Sequence, residues 1–125
     1  MAVWYGVFRE GREEVAAQTG GYLSDEQHAA FKQYAASLNV SVSCVASLLV
    51  LREMSARRLK RLMSDFDVGL PPGKRNRVTT HHRDPNQKAV FKAWCLEAGI
   101  SPDRAAAVLF RAELDEQWLR RCVGD

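Results

Sequence analysis

The sequence predicts a mostly α-helical domain built from two tandem β-α-α units. Three observations predict it. The stretch from Leu23 to Asp65 recurs, ungapped and displaced by sixty residues, from Arg83 to Asp125. Each copy opens and closes its helices with the same kinds of capping residue at the same places. Each copy is also preceded by a short segment too small or too β-branched to continue a helix.

The duplication rests on where the matches fall. Eleven of 43 aligned positions are identical: Gln27, Ala29, Phe31, Lys32, Ser41, Ala46, Leu49, Glu53, Leu59, Arg61 and Asp65 face Gln87, Ala89, Phe91, Lys92, Ser101, Ala106, Leu109, Glu113, Leu119, Arg121 and Asp125. The conservative pairs occupy positions a helix core requires: Tyr34 with Trp94, Val40 with Ile100, Leu48 with Val108, Val50 with Phe110, Met54 with Leu114. A shared fold, rather than one short motif, is what such a pattern preserves.

Taken in order, residues 1–14 form an N-terminal arm, aromatic and β-prone at Val3 to Phe8 and charged from Arg9 to Glu14. The first unit, 15–65, begins with a small, neutral segment ending in Gly20-Gly21. Ser24 and Asp84 then read as helix N-caps, with Gln27 and Gln87 three residues on to reach back to the cap's amide, and Pro85 where a missing N–H costs nothing. This first helix stops at Asn39 and Gly99, the residue types best able to take the left-handed conformation that closes a helix, and Val40 and Ile100 supply the apolar contact beyond. Ser41 and Ser101 cap a second helix expected to run about six turns, from Ser41 to about Ser64 in the first copy. Its first half is apolar almost all round, so the expectation is that it is covered on several sides. Residues 66–76 are a linker, broken by Pro71-Pro72-Gly73. The second unit, 77–125, opens with a strand-like Val78 to His82.

The formal charge of +3 is modest, but Lys74, Arg75, Arg77 and Arg83 fall within ten residues that contain no acid. A local basic ribbon says more about a partner than the net charge does. No apolar run is long enough to span a bilayer and the start lacks a signal-peptide pattern, which makes a cytoplasmic, soluble protein the expectation. The three cysteines, Cys44, Cys95 and Cys122, have no metal-ligand spacing and read as reduced packing residues. Adjacent His81 and His82 on a strand point to opposite faces with no third ligand nearby, so no metal is expected. The sequence offers no nucleophile with a base, no paired acids and no glycine-rich phosphate loop. A non-enzyme without cofactor follows as the expectation.

Short strand, helix, tight Asn or Gly corner, longer helix opening with Ser: this order resembles the ribbon-helix-helix family of DNA-binding proteins, and in particular its duplicated single-chain members among TraY-like accessory proteins of plasmid conjugation. The resemblance covers residues from about 17 to 125. It implies that the two units form one intramolecular pseudo-dimer, that their strands pair as a two-stranded antiparallel ribbon, and that the ribbon enters the major groove of double-stranded DNA, in transcriptional regulation or in conjugation. Carried onto this sequence, the phase that buries Val78 turns Arg77, Thr79, His81 and Arg83 toward the bases, with Lys74 and Arg75 beside them; the opposite phase presents Val78, Thr80 and His82. In the first copy the outward set is Ala17, Thr19 and Gly21, which carries no charge and departs from the family pattern. Ser41 and Ser43, and less well Ser101 because Pro102 lacks an amide and Asp103 is acidic, match the use of a helix start to hold a phosphate.

Two other readings stand beside this one. A protein-interaction module that kept the fold would grip a protein partner through Trp4, Tyr5 and Phe8, which suits the low net charge and the neutral first strand. A plain four-helix bundle would have no ribbon at all. Whether single chains assemble further is left open by the sequence.

Overall fold

The computed structural model describes residues 17–69 and 76–123. Two strands, β1 (Gln18–Leu23) and β2 (Asn76–His81), pair antiparallel into the only sheet among the described residues. Each is followed by three helices: α1 (Asp25–Ser37), α2 (Val42–Ala56) and α3 (Leu59–Phe66) after β1, and α4 (Pro85–Ala98), α5 (Pro102–Glu116) and α6 (Trp118–Cys122) after β2. The protein is thus mostly α-helical, with one two-stranded antiparallel sheet.

The local signals act as the sequence chemistry requires. Ser24 Oγ accepts from the Gln27 amide at 3.1 Å while Gln27 Oε1 accepts from the Ser24 amide at 3.2 Å, a complete capping box. Asn39 (φ 63°) and Gly99 (φ 84°) close α1 and α4 in the left-handed region. Ile100 is buried as expected, whereas Val40 stays exposed.

The six-turn second helix is not observed. Both copies break after four turns, at Arg57 and Gln117, each with φ 52°, a conformation that costs an ordinary residue roughly 1 kcal/mol or more. What holds the break lies inside the protein. Glu53, only 4 % exposed, accepts from the Leu59 amide at 2.5 Å, and Glu113, 2 % exposed, accepts from the Leu119 amide at 2.8 Å. One buried carboxylate per copy therefore caps the short helix that follows the bend, and burial of Leu59 and Leu62, or of Leu119, anchors it. The identity of Glu53 and Glu113 across the repeat was the sequence's only sign of this device.

The core interlocks the two units. One cluster joins Phe31, Tyr34, Val45 and Leu49 of the first unit to Phe110 and Leu119 of the second; the other joins Val50, Leu59 and Leu62 of the first to Phe91, Cys95, Val108 and Leu109 of the second. Phe31 and Phe110 meet with ring centroids 5.2 Å apart. Strand β1 lies against α5 and β2 against α2, so each strand packs on the other unit's long helix. Because each short terminal helix also lands across the divide, neither unit has a core of its own. Helix α2 is not covered on all sides: Leu48 and Leu51 remain 39 % and 51 % exposed. Cys95 is a packing residue, but Cys44 and Cys122 are exposed. Arg111, buried on α5, is satisfied by the carbonyls of Phe66 (3.0 Å) and Gly69 (3.4 Å) and by Gln27 Oε1 (3.4 Å). This fixes the start of the linker. No single helix among the described residues is long and apolar enough to cross a membrane.

Candidate functional site

The register of the sheet decides which side chains share its outer face. Directly opposed residues in an antiparallel pair point to the same side. The pairs Thr19–Thr80 and Gly21–Val78 point inward, as do Leu23 and, one pair beyond the strands, Ala17 with His82; all of these are buried. The pairs Gln18–His81, Gly20–Thr79 and Tyr22–Arg77 point outward. Arg77, Thr79 and His81 therefore lie together on the outer face, with Arg83, exposed, just past the strand end.

Thr19 was expected on that face and is not there. It is 7 % exposed, and its Oγ1 lies 2.7 Å from Nε2 of the buried His82. The reason is a one-residue difference between the copies. Equivalent strand positions, such as the central facing pair Gly20 and Thr79, are fifty-nine residues apart, whereas the caps Ser24 and Asp84, or Ser41 and Ser101, are sixty apart. Arg83 is the extra residue, and Gln87 accordingly accepts from the Arg83 amide (2.7 Å) where its counterpart accepts from the cap itself. A period-two strand turns a one-residue offset into an inversion of faces. Ala17 and Gly21, assigned outward with Thr19, are buried for the same reason, and the outer face of β1 consists of Gln18, Gly20 and Tyr22. These three residues were missed by extending the helix register into the strand.

Two contacts organise the face. The Arg77 side chain lies across Gly20, occupying the space a β-carbon would take there. At the other end, Gln18 Nε2 and His81 Nδ1 are 3.3 Å apart across the strands. No acidic residue stands among the six outward ladder positions; Arg83 has Asp84 beside it at 3.7 Å, with its side chain 80 % exposed.

The start of α2 adjoins the His81 end. The His81 amide donates to Ser47 Oγ at 3.0 Å, and Ser47 Oγ donates in turn to the Ser43 carbonyl at 2.8 Å. Ser41 caps the helix by accepting from the Cys44 amide at 3.1 Å. The Ser43 main chain is thereby tied to the His81 end of the sheet through the Ser47 side chain. Ser101, at the start of α5, makes no capping hydrogen bond, and Pro102 and Asp103 follow it. The α5 start has fewer free amides and an acid in its first turn, so the two ends of the face differ in what they offer an anion.

Of the remaining expected site residues, Lys74 and Arg75 lie outside the described residues, as do Trp4, Tyr5 and Phe8 of the arm. Inside the sheet, burial holds the His82 imidazole below its usual pKa, with the charges of Lys88 and His81 acting in the same direction. His82 is a core residue joining the strands, its ring tilted against that of Phe91 with centroids 5.7 Å apart. Comparison with protein-family models, with curated proteins and with solved structures finds no match to this chain.

Proposed function

We propose that this chain is a double-stranded DNA-binding protein of ribbon-helix-helix type, two units in one chain, serving as a transcriptional regulator or as an accessory factor in plasmid conjugation in the cytoplasm. The observation that carries the reading is the outer face of the ribbon. Six side-chain positions on two antiparallel strands present Arg77, Thr79, His81, Gln18 and Tyr22 around Gly20, with no acid among them. A two-stranded ribbon fits the major groove, and arginine, glutamine and threonine carry the donors and acceptors that read base edges there. Arg83 beyond the strand and the amides at the Ser41 helix start suit phosphate contacts, which position rather than specify. The strands differ, one basic and one neutral, so the DNA site is read asymmetrically.

The test is fluorescence anisotropy with labelled duplex DNA across a salt series, comparing wild type with Arg77→Ala/Arg83→Ala and with the charge-matched Lys32→Ala/Lys92→Ala on exposed helix positions. Binding by wild type should weaken steeply with salt. The arginine pair should reduce the slope by roughly one for each phosphate that is no longer neutralised, and the lysine pair should leave it unchanged. Absence of binding at low salt, or equal weakening in the two double variants, would overturn the reading.

A further inference from the structure

The duplication supplies an internal comparison at the bend after each long helix. In one copy the site is closed. Tyr34 donates its hydroxyl to Glu113 at 2.5 Å, the Arg120 amide donates to the same hydroxyl at 3.3 Å, and the Arg120 guanidinium packs 5.5 Å from the Tyr34 ring and donates to Ser37 Oγ at 2.6 Å. The buried carboxylate thus holds a main-chain amide on one side and a phenol on the other. In the other copy, Trp94 stands for Tyr34, Glu97 for Ser37, Ala98 for Leu38, Lys60 for Arg120 and Arg57 for Gln117. The indole has no hydroxyl and is drawn to the surface, where Arg57 lies 4.1 Å over its ring and reaches Glu97 at 3.7 Å. Ala98, smaller than its counterpart Leu38, lines the space beside it. What results is a cleft of about 430 Å³ lined by Glu53, Leu59, Phe91 and Trp94, with basic (Arg57, Lys60) and acidic (Glu97) side chains beside them. No side chain among the described residues donates to Glu53, whose carboxylate is held by main-chain amides of Arg58 and Leu59.

We propose that this cleft is a binding site for a small neutral aromatic molecule carrying a phenolic hydroxyl, which takes the place that Tyr34 holds in the other copy. An ionised carboxylate has about four lone-pair directions, and a buried one gains most from a charge-assisted donor. Trp94 and Ala98, with the small exposed edges of the buried Leu59 and Phe91, supply the apolar lining for a ring, and the volume lies in the usual range for small-molecule sites. The site lies at the far end of α2 from the ribbon, and its occupancy does not depend on whether the ribbon meets DNA.

The probe is p-cresol, the tyrosine side chain as a free molecule, titrated into the ¹⁵N-labelled full chain and followed by amide and indole shifts. Saturable shifts of the Leu59 and Lys60 amides and the Trp94 indole are expected. Toluene, the same ring without the hydroxyl, should bind roughly tenfold or more weakly, as a hydrogen bond to a charged group implies. Ala98→Leu restores the residue of the closed copy, and Trp94→Tyr restores the phenol; each should weaken p-cresol binding at least about tenfold by filling the cleft. Equal affinity for toluene and p-cresol in the wild-type protein would overturn the proposal, as would shifts confined to other surfaces or no saturable shift at all. The wild-type comparison holds even where a variant fails to fold.

Discussion

Gly20 and Gly21 are neighbours that the register places on opposite faces, and the same substitution at each should have opposite consequences. Neither has a positive φ, so alanine fits the backbone at both, and losing glycine's freedom in the unfolded chain contributes about 0.4–1 kcal/mol of stability in each case. At Gly20 the three atoms nearest a β-carbon all belong to the Arg77 side chain, a flexible group on the surface that can swing away. At Gly21 it would sit 2.7 Å from the Phe110 ring, 2.9 Å from the Ala107 main-chain nitrogen and 3.1 Å from the Ala106 β-carbon. All three belong to α5, a buried helix that cannot yield without parting from β1, and overpacking of this kind costs about 1–3 kcal/mol. Gly20→Ala is therefore expected to be neutral or slightly stabilising, and Gly21→Ala to be destabilised by roughly 1–2 kcal/mol net of the entropic gain. For a chain of this length that is a fall in Tm of about 3–8 °C. Thermal and urea unfolding followed by circular dichroism measure both. Equal destabilisation, or a neutral Gly21→Ala beside a damaging Gly20→Ala, would refute the assignment of faces and with it the placement of Arg77, Thr79 and His81.

Two further expectations concern the interior. Glu113→Ala strands the Tyr34 hydroxyl and the Leu119 amide together and should cost about 2–5 kcal/mol; combined with Tyr34→Phe in a double-mutant cycle by urea unfolding, the pair should show a coupling of about 1 kcal/mol or more, and strict additivity would count against the shared hydrogen bond. His82 titrates below 6.5 in the folded protein because it is buried, so the unfolded chain binds its proton first; stability should fall as pH drops from 7 through 6.5 toward the lowered folded value, by at most about 1.4 kcal/mol per pH unit. Its Nδ1 has no hydrogen-bond partner among the described residues, which leaves a folded imidazolium uncompensated. His82→Leu, which installs the residue of the equivalent position Leu23, should flatten that slope between pH 7.5 and 5.5, and an unchanged slope would remove His82 as its source.

What could be read in the sequence was chemistry that acts over three or four residues. Ser24 with Gln27, Asp84 with Pro85, and Asn39 and Gly99 each satisfy or terminate a backbone within their own turn, so residue type alone located the four longest helices. The break at Arg57 and Gln117 could not be read that way. Neither residue favours a left-handed backbone, and the bend exists because Glu53 and Glu113, four residues earlier, are buried by helices from both units and turn their carboxylates onto the next turn's amides. The outer face of β2 was legible because Val78 had to be inside; that of β1 was not, since its small residues carry no amphipathic pattern and one extra residue, Arg83, breaks the register borrowed from the helices.

The interlocked core also explains where the two copies were free to diverge. Positions that bind one unit to the other stay alike: Phe31 and Phe91, Ala46 and Ala106, Leu49 and Leu109, Glu53 and Glu113, and Leu59 and Leu119 are all buried, and a change in any of them disturbs both halves at once because their neighbours come from both. Outward positions carry no such constraint. Gln18 and Tyr22 stand opposite His81 and Arg77 on the sheet. Divergence inside the protein is found at Tyr34, buried against Glu113, which corresponds to the half-buried Trp94 beside Glu53. Duplication within one chain makes this divergence permanent in a way that two identical subunits cannot, since a substitution on one strand is not copied onto the other. An asymmetric outer face and a cleft at one of the two bends are the physical result, and both proposed functions draw on positions where the two units differ.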